Sequence, residues 1–384
     1  MLIRTLGTFI AVILLAFAVP AEAAPPRQLL EDVGSSYPRV IRLEHGPGAG
    51  RIITSIGSMI DGKSVGLIHE SVDRGRSFQR VAVISDPDLT ISRGMCCATL
   101  FELPRKVGDM PAGTLLWATT AGLDTGNDRR VRQRVWRSAD IGRTWTFLSD
   151  IAIAPNAQPG WEPELSVAAD GSLVAFYSDE SDTTRHDQKL VRVRSADGKT
   201  WSAPVDTVKH QRHGVRPGMV GVRALPDGTY FMVYEVCNID FQRNCGIYFR
   251  TSKDGWDWGD PIDLGTQVIT EAGRYPRHTP TIAWSPNTGS DGAILLISEM
   301  LVEADGSLSA GNGATILVND PEADDPWEEF PAPIPVTGVN NEGCRNFSPS
   351  LLPSRDGRTV LELTTDLDDG VCKTFVATGP IPID

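Results

Sequence analysis

Glu162 lies between Trp161 and Pro163, where an adjacent indole lowers the local dielectric and can raise a carboxyl pKa toward that of a general acid. Glu235 closes the apolar run at 230–234, and Cys237 follows two residues later. One protonated carboxyl and one ionised carboxylate form the pair that cleaves a glycosidic bond. The acid protonates the leaving oxygen, and the carboxylate attacks the sugar or activates water. Both groups must then sit on rigid elements that face one cleft.

A repeat supplies those elements. Residues 71–78 read SVDRGRSF and residues 138–145 read SADIGRTW, followed by the shorter copies SADGKTW at 195–201 and SKDGWDW at 252–258. In such an aspartate box the carboxylate accepts backbone N–H groups, the glycine takes a positive φ, and the ring seals the loop. The copies open at Ser71, Ser138, Ser195 and Ser252, spacings of 67, 57 and 57 residues. That period suits one four-stranded blade, and six blades fill the chain. The expected fold class is therefore all-β, a six-bladed β-propeller over residues 24–384. Degraded boxes are expected around 319–327 and 366–370, and residues 25–36 should supply the outer strand of the short last blade.

Composition agrees with many short strands joined by turns: 37 Gly, 27 Pro and nine Trp are spread along the chain, with little apolar patterning at helical spacing. The N-terminus has Arg4, an apolar run at 6–19 and the sequence AEA at 21–23. This reads as a signal peptide over residues 1–23, cleaved after Ala23, which makes the mature chain secreted or periplasmic. No later apolar run reaches the roughly 20 residues of a membrane helix, so no membrane insertion is expected after cleavage. A net charge of −13 disfavours nucleic acid as a partner. The chain is expected to act as a monomer on an oligo- or polysaccharide, and nothing in it calls for a metal or cofactor. Six cysteines in an exported chain point to disulfides. Cys237 and Cys245 bracket one hairpin, and Cys344 and Cys372 flank the last two strand signals. Cys96 and Cys97 are then either a vicinal disulfide or two free thiols.

In a blade the first strand runs along the central channel and the second returns antiparallel to it. First-strand starts and second-strand ends therefore share one face, and the aspartate boxes mark the other. First-strand starts on the open face contribute Arg39, Glu162, Arg216, Arg277, His278, Arg345 and Asn346. Second-strand ends contribute Asp179, Glu180, Glu235, Glu299 and Asp366. Glu162 and Glu235 are the candidate catalytic pair. Arg39, Trp161, Asp179, Glu180, Arg216, Arg277, His278, Arg345 and Asn346 are candidates for binding substrate.

Through YPRV at 37–40, GWEPEL at 160–165, YSDE at 177–180, RPGM at 216–219 and VYE at 233–235, the sequence resembles the exo-arabinanases. These are retaining glycoside hydrolases of the sialidase-like propeller superfamily that release short arabinose units from the ends of α-1,5-arabinan. The resemblance runs through most of the mature chain, and WEP and the RPGM-to-Glu segment are its more specific pieces. It implies Glu162 as acid/base and Glu235 as nucleophile. RPGM departs from the pattern, which would have an acidic residue after the Arg. Two other readings stay open. In a sialidase, Arg39, Arg277 and Arg345 would clamp a sugar carboxylate, although none of the six tyrosines lies in the last blade, where its nucleophile belongs. A non-catalytic carbohydrate-binding propeller would keep the boxes without the chemistry.

Overall fold

The structure is a computed structural model that describes residues 26–382 except 89–93, 124–127, 241–243, 287–291 and 324. The expected signal peptide lies outside the described residues. Six antiparallel sheets follow one another in chain order. Their inner strands are Ser35–Arg42, Met95–Glu102, Gly160–Val167, Arg216–Ala224, Thr281–Ser285 and Ser350–Pro353, opening blades 1 to 6. Among the described residues there is no α-helix, only a 3-10 turn at Gly46–Gly48.

Second strands such as Leu115–Ala121 and Ala293–Ile297 are buried along their whole length. They lack the apolar/polar alternation of a half-exposed strand because neighbouring blades cover both faces. The core is correspondingly divided into layers between blades. Leu116 and Val135 of blade 2 pack with Leu165 and Ala175 of blade 3, and Phe231 and Phe249 of blade 4 pack with Ile294 and Leu296 of blade 5. The ring closes as expected: Gln28–Leu29 pairs with Val371–Pro380 as the outermost strand of blade 6.

The four boxes form as read. The Asp140 carboxylate accepts the N–H groups of Arg143 and Thr144 at 3.2 and 2.9 Å and the Thr144 hydroxyl at 2.6 Å. Asp197 and Asp254 each accept two backbone N–H groups. In the two longer copies the residue before the glycine, Arg74 or Ile141, also takes a positive φ. Asp140→Ala is expected to lower stability by about 1–3 kcal/mol through the N–H groups it strands. Urea unfolding measures that loss.

The turn at 366–370 is not a box. It is the hairpin joining Thr359–Asp368 to Val371–Pro380, with Asp369 and Gly370 both at positive φ, and it joins a second strand to a third. Such hairpins lie on the mouth face, whereas boxes follow third strands. Blade 4 also departs from the plain repeat. Its fourth strand is only Thr266–Gln267, and Tyr275–Arg277 joins its edge through Gly246 before pairing with Met300–Val302. All three cysteine pairs are disulfides, the vicinal Cys96–Cys97 included, which settles the alternative left by the sequence.

Between blades 1 and 2 the Arg134 guanidinium is 5% exposed and binds both oxygens of Asp86 at 2.7 and 2.6 Å, with Asp88 and Asp150 at 2.8 Å each. Asp86 is itself fully buried. Arg134→Ala would leave that carboxylate without its partner, and a loss of about 3–5 kcal/mol in urea unfolding is the expected result.

Candidate active site

The mouth is shaped by a backbone device repeated around the ring. Each of the first four inner strands carries a register shift near its start, and the residue at the shift has positive φ: Tyr37 at 56°, Cys97 at 63°, Glu162 at 45° and Met219 at 55°. In blades 5 and 6 Thr279 and Ser348 hold the same conformation just before the paired strand begins. Such bulges re-aim a side chain that regular pleating would send elsewhere. Four of the six precede a proline, Pro38, Pro163, Pro280 and Pro349. Proline has no ladder N–H to lose, and sheets confine it to edges, strand starts and bulges. This X-Pro recurrence was the available sequence signal for the mouth.

At the blade 3 bulge, Glu162 Oε2 accepts the Ser178 hydroxyl at 2.9 Å. Ser178 Oγ in turn accepts the Met219 N–H at 3.4 Å, tying blade 3 to the blade 4 bulge. Beside Met219, a Cβ on Gly218 would stand 2.2 Å from Gln188 Nε2 and 3.2 Å from Ser178 Oγ, so a larger residue here must displace the Gln188 amide, which donates to the Pro217 carbonyl at 2.9 Å. Burial pushes the Glu162 carboxyl up to about 8; the Ser178 hydrogen bond opposes this, and the charges of Glu235 and Glu180 add to it. Trp161 contributes less directly than its place in the sequence suggests. Its Nε1 donates to Glu180 Oε1 at 2.9 Å, and Arg216 Nη2 binds the same oxygen at 2.5 Å and Gln188 Oε1 at 2.6 Å.

Glu235 lies two residues before the end of the second strand of blade 4, Tyr230–Cys237, opposite Gly218. Its Oε2 accepts the Thr279 N–H at 2.9 Å, and His278 Nδ1 stands 3.6 Å from the same atom. The segment leading into blade 5 thus brings one backbone donor and an imidazole nitrogen to this carboxylate. Glu299 lies just beyond, its N–H bound to the His278 carbonyl at 3.0 Å. It is fully buried, and among the described residues neither carboxyl oxygen has a hydrogen-bond partner. Burial, reinforced by the Glu235 charge, pushes its carboxyl up to about 8.

The structure brings Glu162, Trp161, Glu180, Arg216, Glu235 and His278 together across blades 3 to 5. The other candidates have different neighbours. Asp179 caps the Ser181 N–H at 2.9 Å in the groove between blades 2 and 3, because strand alternation turns it from the face that Ser178 shares with Glu162. Asn346 is buried and holds the carbonyls of Ser298 and Glu299 at 2.9 Å each, a scaffolding position. Arg345 pairs with Glu342 and stands 3.8 Å from Asp366, on the rim of blade 6. Arg277 ends the short strand Tyr275–Arg277 beside His278. Arg39 covers the Tyr37 ring, 4.0 Å from its centroid, and donates to Ser348 Oγ at 3.0 Å.

Arg39 also lines the channel below the mouth, a cavity of about 610 Å³ reaching the box face past Arg42, Glu102, Arg223 and Trp284. Tyr37 is buried, and burial raises its hydroxyl far above the usual range. The sequence reading passed over Ser178, Thr279 and Glu164. Glu164 binds Thr99 Oγ1 at 2.8 Å and Arg223 at 2.7 Å, stapling blades 2, 3 and 4 beneath the site. Its place two residues after Glu162 on an inner strand was the signal.

Fold and site together define a sialidase-like six-bladed propeller with acidic side chains of neighbouring blades gathered in one mouth. No protein-family model matches the chain, and no curated protein matches it. Solved structures do. The GH93 α-L-arabinofuranosidase of Fusarium graminearum, in complex with arabinobiose, aligns with a TM-score of 0.75 at 24% identity, over 93% of this chain and 96% of that one. The Penicillium chrysogenum α-L-arabinanase, also complexed with arabinobiose, aligns at 0.73 and 24% identity, over 93% and 99%. The sialidase of Trypanosoma rangeli aligns at 0.53 and 12% identity, over 90% of this chain and 55% of that one. At these identities the likeness is one of fold.

Proposed function

We propose that this protein is an exported glycoside hydrolase that acts from the ends of arabinan or a related polysaccharide, with retention of configuration. Glu162 is the acid/base and Glu235 the nucleophile. The observation that carries this reading is the contrast between the two carboxyls: Glu162 is held protonated near neutrality, pushed up to about 8, while Glu235 has the Thr279 N–H at 2.9 Å and His278 Nδ1 at 3.6 Å directed at one oxygen. A carboxyl kept protonated beside a carboxylate that accepts a backbone N–H suits the separate roles of acid and nucleophile.

Glu162 gives its proton to the leaving oxygen while a Glu235 oxygen bonds to the anomeric carbon. The deprotonated Glu162 then takes a proton from water, which displaces Glu235 and restores both groups. Ser178 keeps the Glu162 carboxyl in one orientation through both steps. Trp161, Glu180 and Arg216, joined in one network, offer a ring face and polar groups to the sugar on the blade 3 side. Supporting the choice of sugar are the sequence resemblance and the arabinobiose complexes of the two fungal neighbours.

The sialidase reading is the weaker one. Arg39 donates to Ser348 and Arg345 is paired with Glu342, so two members of the required guanidinium clamp already have protein partners. The test is release of sugar from linear arabinan and from a sialyl reporter by the purified protein. Release from arabinan alone is expected; release from the sialyl reporter alone would replace this reading with the other.

A further inference from the structure

We propose that Glu235, Cys237, Cys245 and His278 form a latent site for a thiophilic divalent cation of the zinc class, masked by the Cys237–Cys245 disulfide and opened by its reduction. One ligand atom from each of the four side chains lies within 4.8 Å of all the others. Two thiolates, an imidazole and a carboxylate are a donor set that tetrahedral zinc accepts. With zinc–sulfur bonds of about 2.3 Å and zinc–nitrogen bonds of about 2.0 Å, neighbouring ligands stand about 3.3–3.8 Å apart. Breaking the disulfide lets the sulfurs separate to that spacing, and the other donors need to close by at most about 1.5 Å.

The surroundings are already arranged for this. The His278 N–H donates to the Cys245 carbonyl at 3.0 Å, which ties the imidazole-bearing segment to the hairpin that carries the cysteines. Glu235 uses Oε2 for the Thr279 N–H at 2.9 Å and leaves Oε1 facing Cys237 Sγ at 3.4 Å. A backbone donor on the outer oxygen of a ligating carboxylate is the kind of support that fixes ligand orientation. The Glu235 and His278 side chains are each 12% exposed, so a cation would enter from the mouth.

The chemistry balances with a named reductant. A dithiol reduces the disulfide by exchange, giving two protein thiols and a cyclic disulfide; a trialkylphosphine with one water does the same and leaves as the phosphine oxide. The cation then displaces the two thiol protons. Bound there, it would hold the Glu235 carboxylate and take it out of glycoside cleavage, a consequence that rests on the function proposed above.

The test uses the full purified chain reduced with a phosphine, then titrated with cadmium ion alone. A thiolate-to-cadmium charge-transfer band saturating at one ion per chain is expected after reduction and not before. It should persist in the Cys96→Ser/Cys97→Ser variant, vanish in Cys237→Ser/Cys245→Ser, and need at least tenfold more cadmium in His278→Gln. A band that fails to appear, or that survives in Cys237→Ser/Cys245→Ser, overturns the site. So does loss of the native circular dichroism on reduction that zinc does not restore. In a parallel assay, zinc ion should inhibit arabinan hydrolysis by the reduced protein and leave the oxidised protein unaffected. A protein that is inactive on arabinan while oxidised, yet gives the cadmium band once reduced, refutes the hydrolase reading and leaves the metal site standing.

Discussion

Glu162→Gln is expected to lower kcat/KM on arabinan by about 10²–10⁴-fold, because it removes the proton that the leaving oxygen must take up. The loss should shrink on an aryl glycoside, whose leaving group departs without protonation, for as long as the first step limits the rate. Wild-type kcat/KM should fall as pH rises through about 8, where Glu162 loses its proton. The sign follows from the role: the protonated form donates, and it predominates below that value. In Glu162→Gln the alkaline limb should vanish, since the amide has nothing to titrate. Ser178→Ala offers an intermediate case. It removes the hydrogen bond that opposes the upward shift, so the limb should move to higher pH. Unchanged kinetics in Glu162→Gln would remove Glu162 from the chemistry.

Glu235→Ala is expected to lower kcat/KM by about 10³-fold or more on arabinan and on the aryl glycoside alike, because no leaving group compensates for a missing nucleophile. Azide, small enough to occupy the space left by the side chain, should restore turnover of the aryl glycoside as a glycosyl azide of inverted configuration. Wild-type product, followed by NMR before it mutarotates, should show retention. Inversion in the wild type would instead make Glu235 a base that activates water. Wild-type activity in both the Glu162 and Glu235 variants would leave the propeller standing as a carbohydrate-binding module without this chemistry.

The two carboxyls were readable in the sequence because of what lies beside them, but the cause of the Glu162 shift was not. The sequence suggests the Trp161 ring; in the fold that ring is tied to Glu180, and the shift comes from burial and the charges of Glu235 and Glu180, against the opposing hydrogen bond of Ser178. Ser178 is 16 residues from Glu162 and meets it only because the hairpin register sets Trp161 opposite Ser178. Thr279, 44 residues beyond Glu235, reaches it only by closure of neighbouring blades. Arg39 looked like a mouth residue by strand position, yet the bulge at Tyr37 sets it over the channel, against Ser348.

Local patterning by itself determined the architecture. An aspartate box closes within eight residues, its hydrogen bonds run from one carboxylate to the next few N–H groups, and four copies at a near-constant spacing fix the number and order of blades. The mouth face followed from strand direction alone. Only the tertiary structure decided which mouth residues meet. That outcome depends on six residues at positive φ at the inner-strand starts, four of them at bulges, on the packing of separate apolar layers between blades, and on the desolvation of Glu162 and Glu299. Each is a property of distant segments brought into register, and a pKa set by desolvation exists only once the surrounding blades have closed.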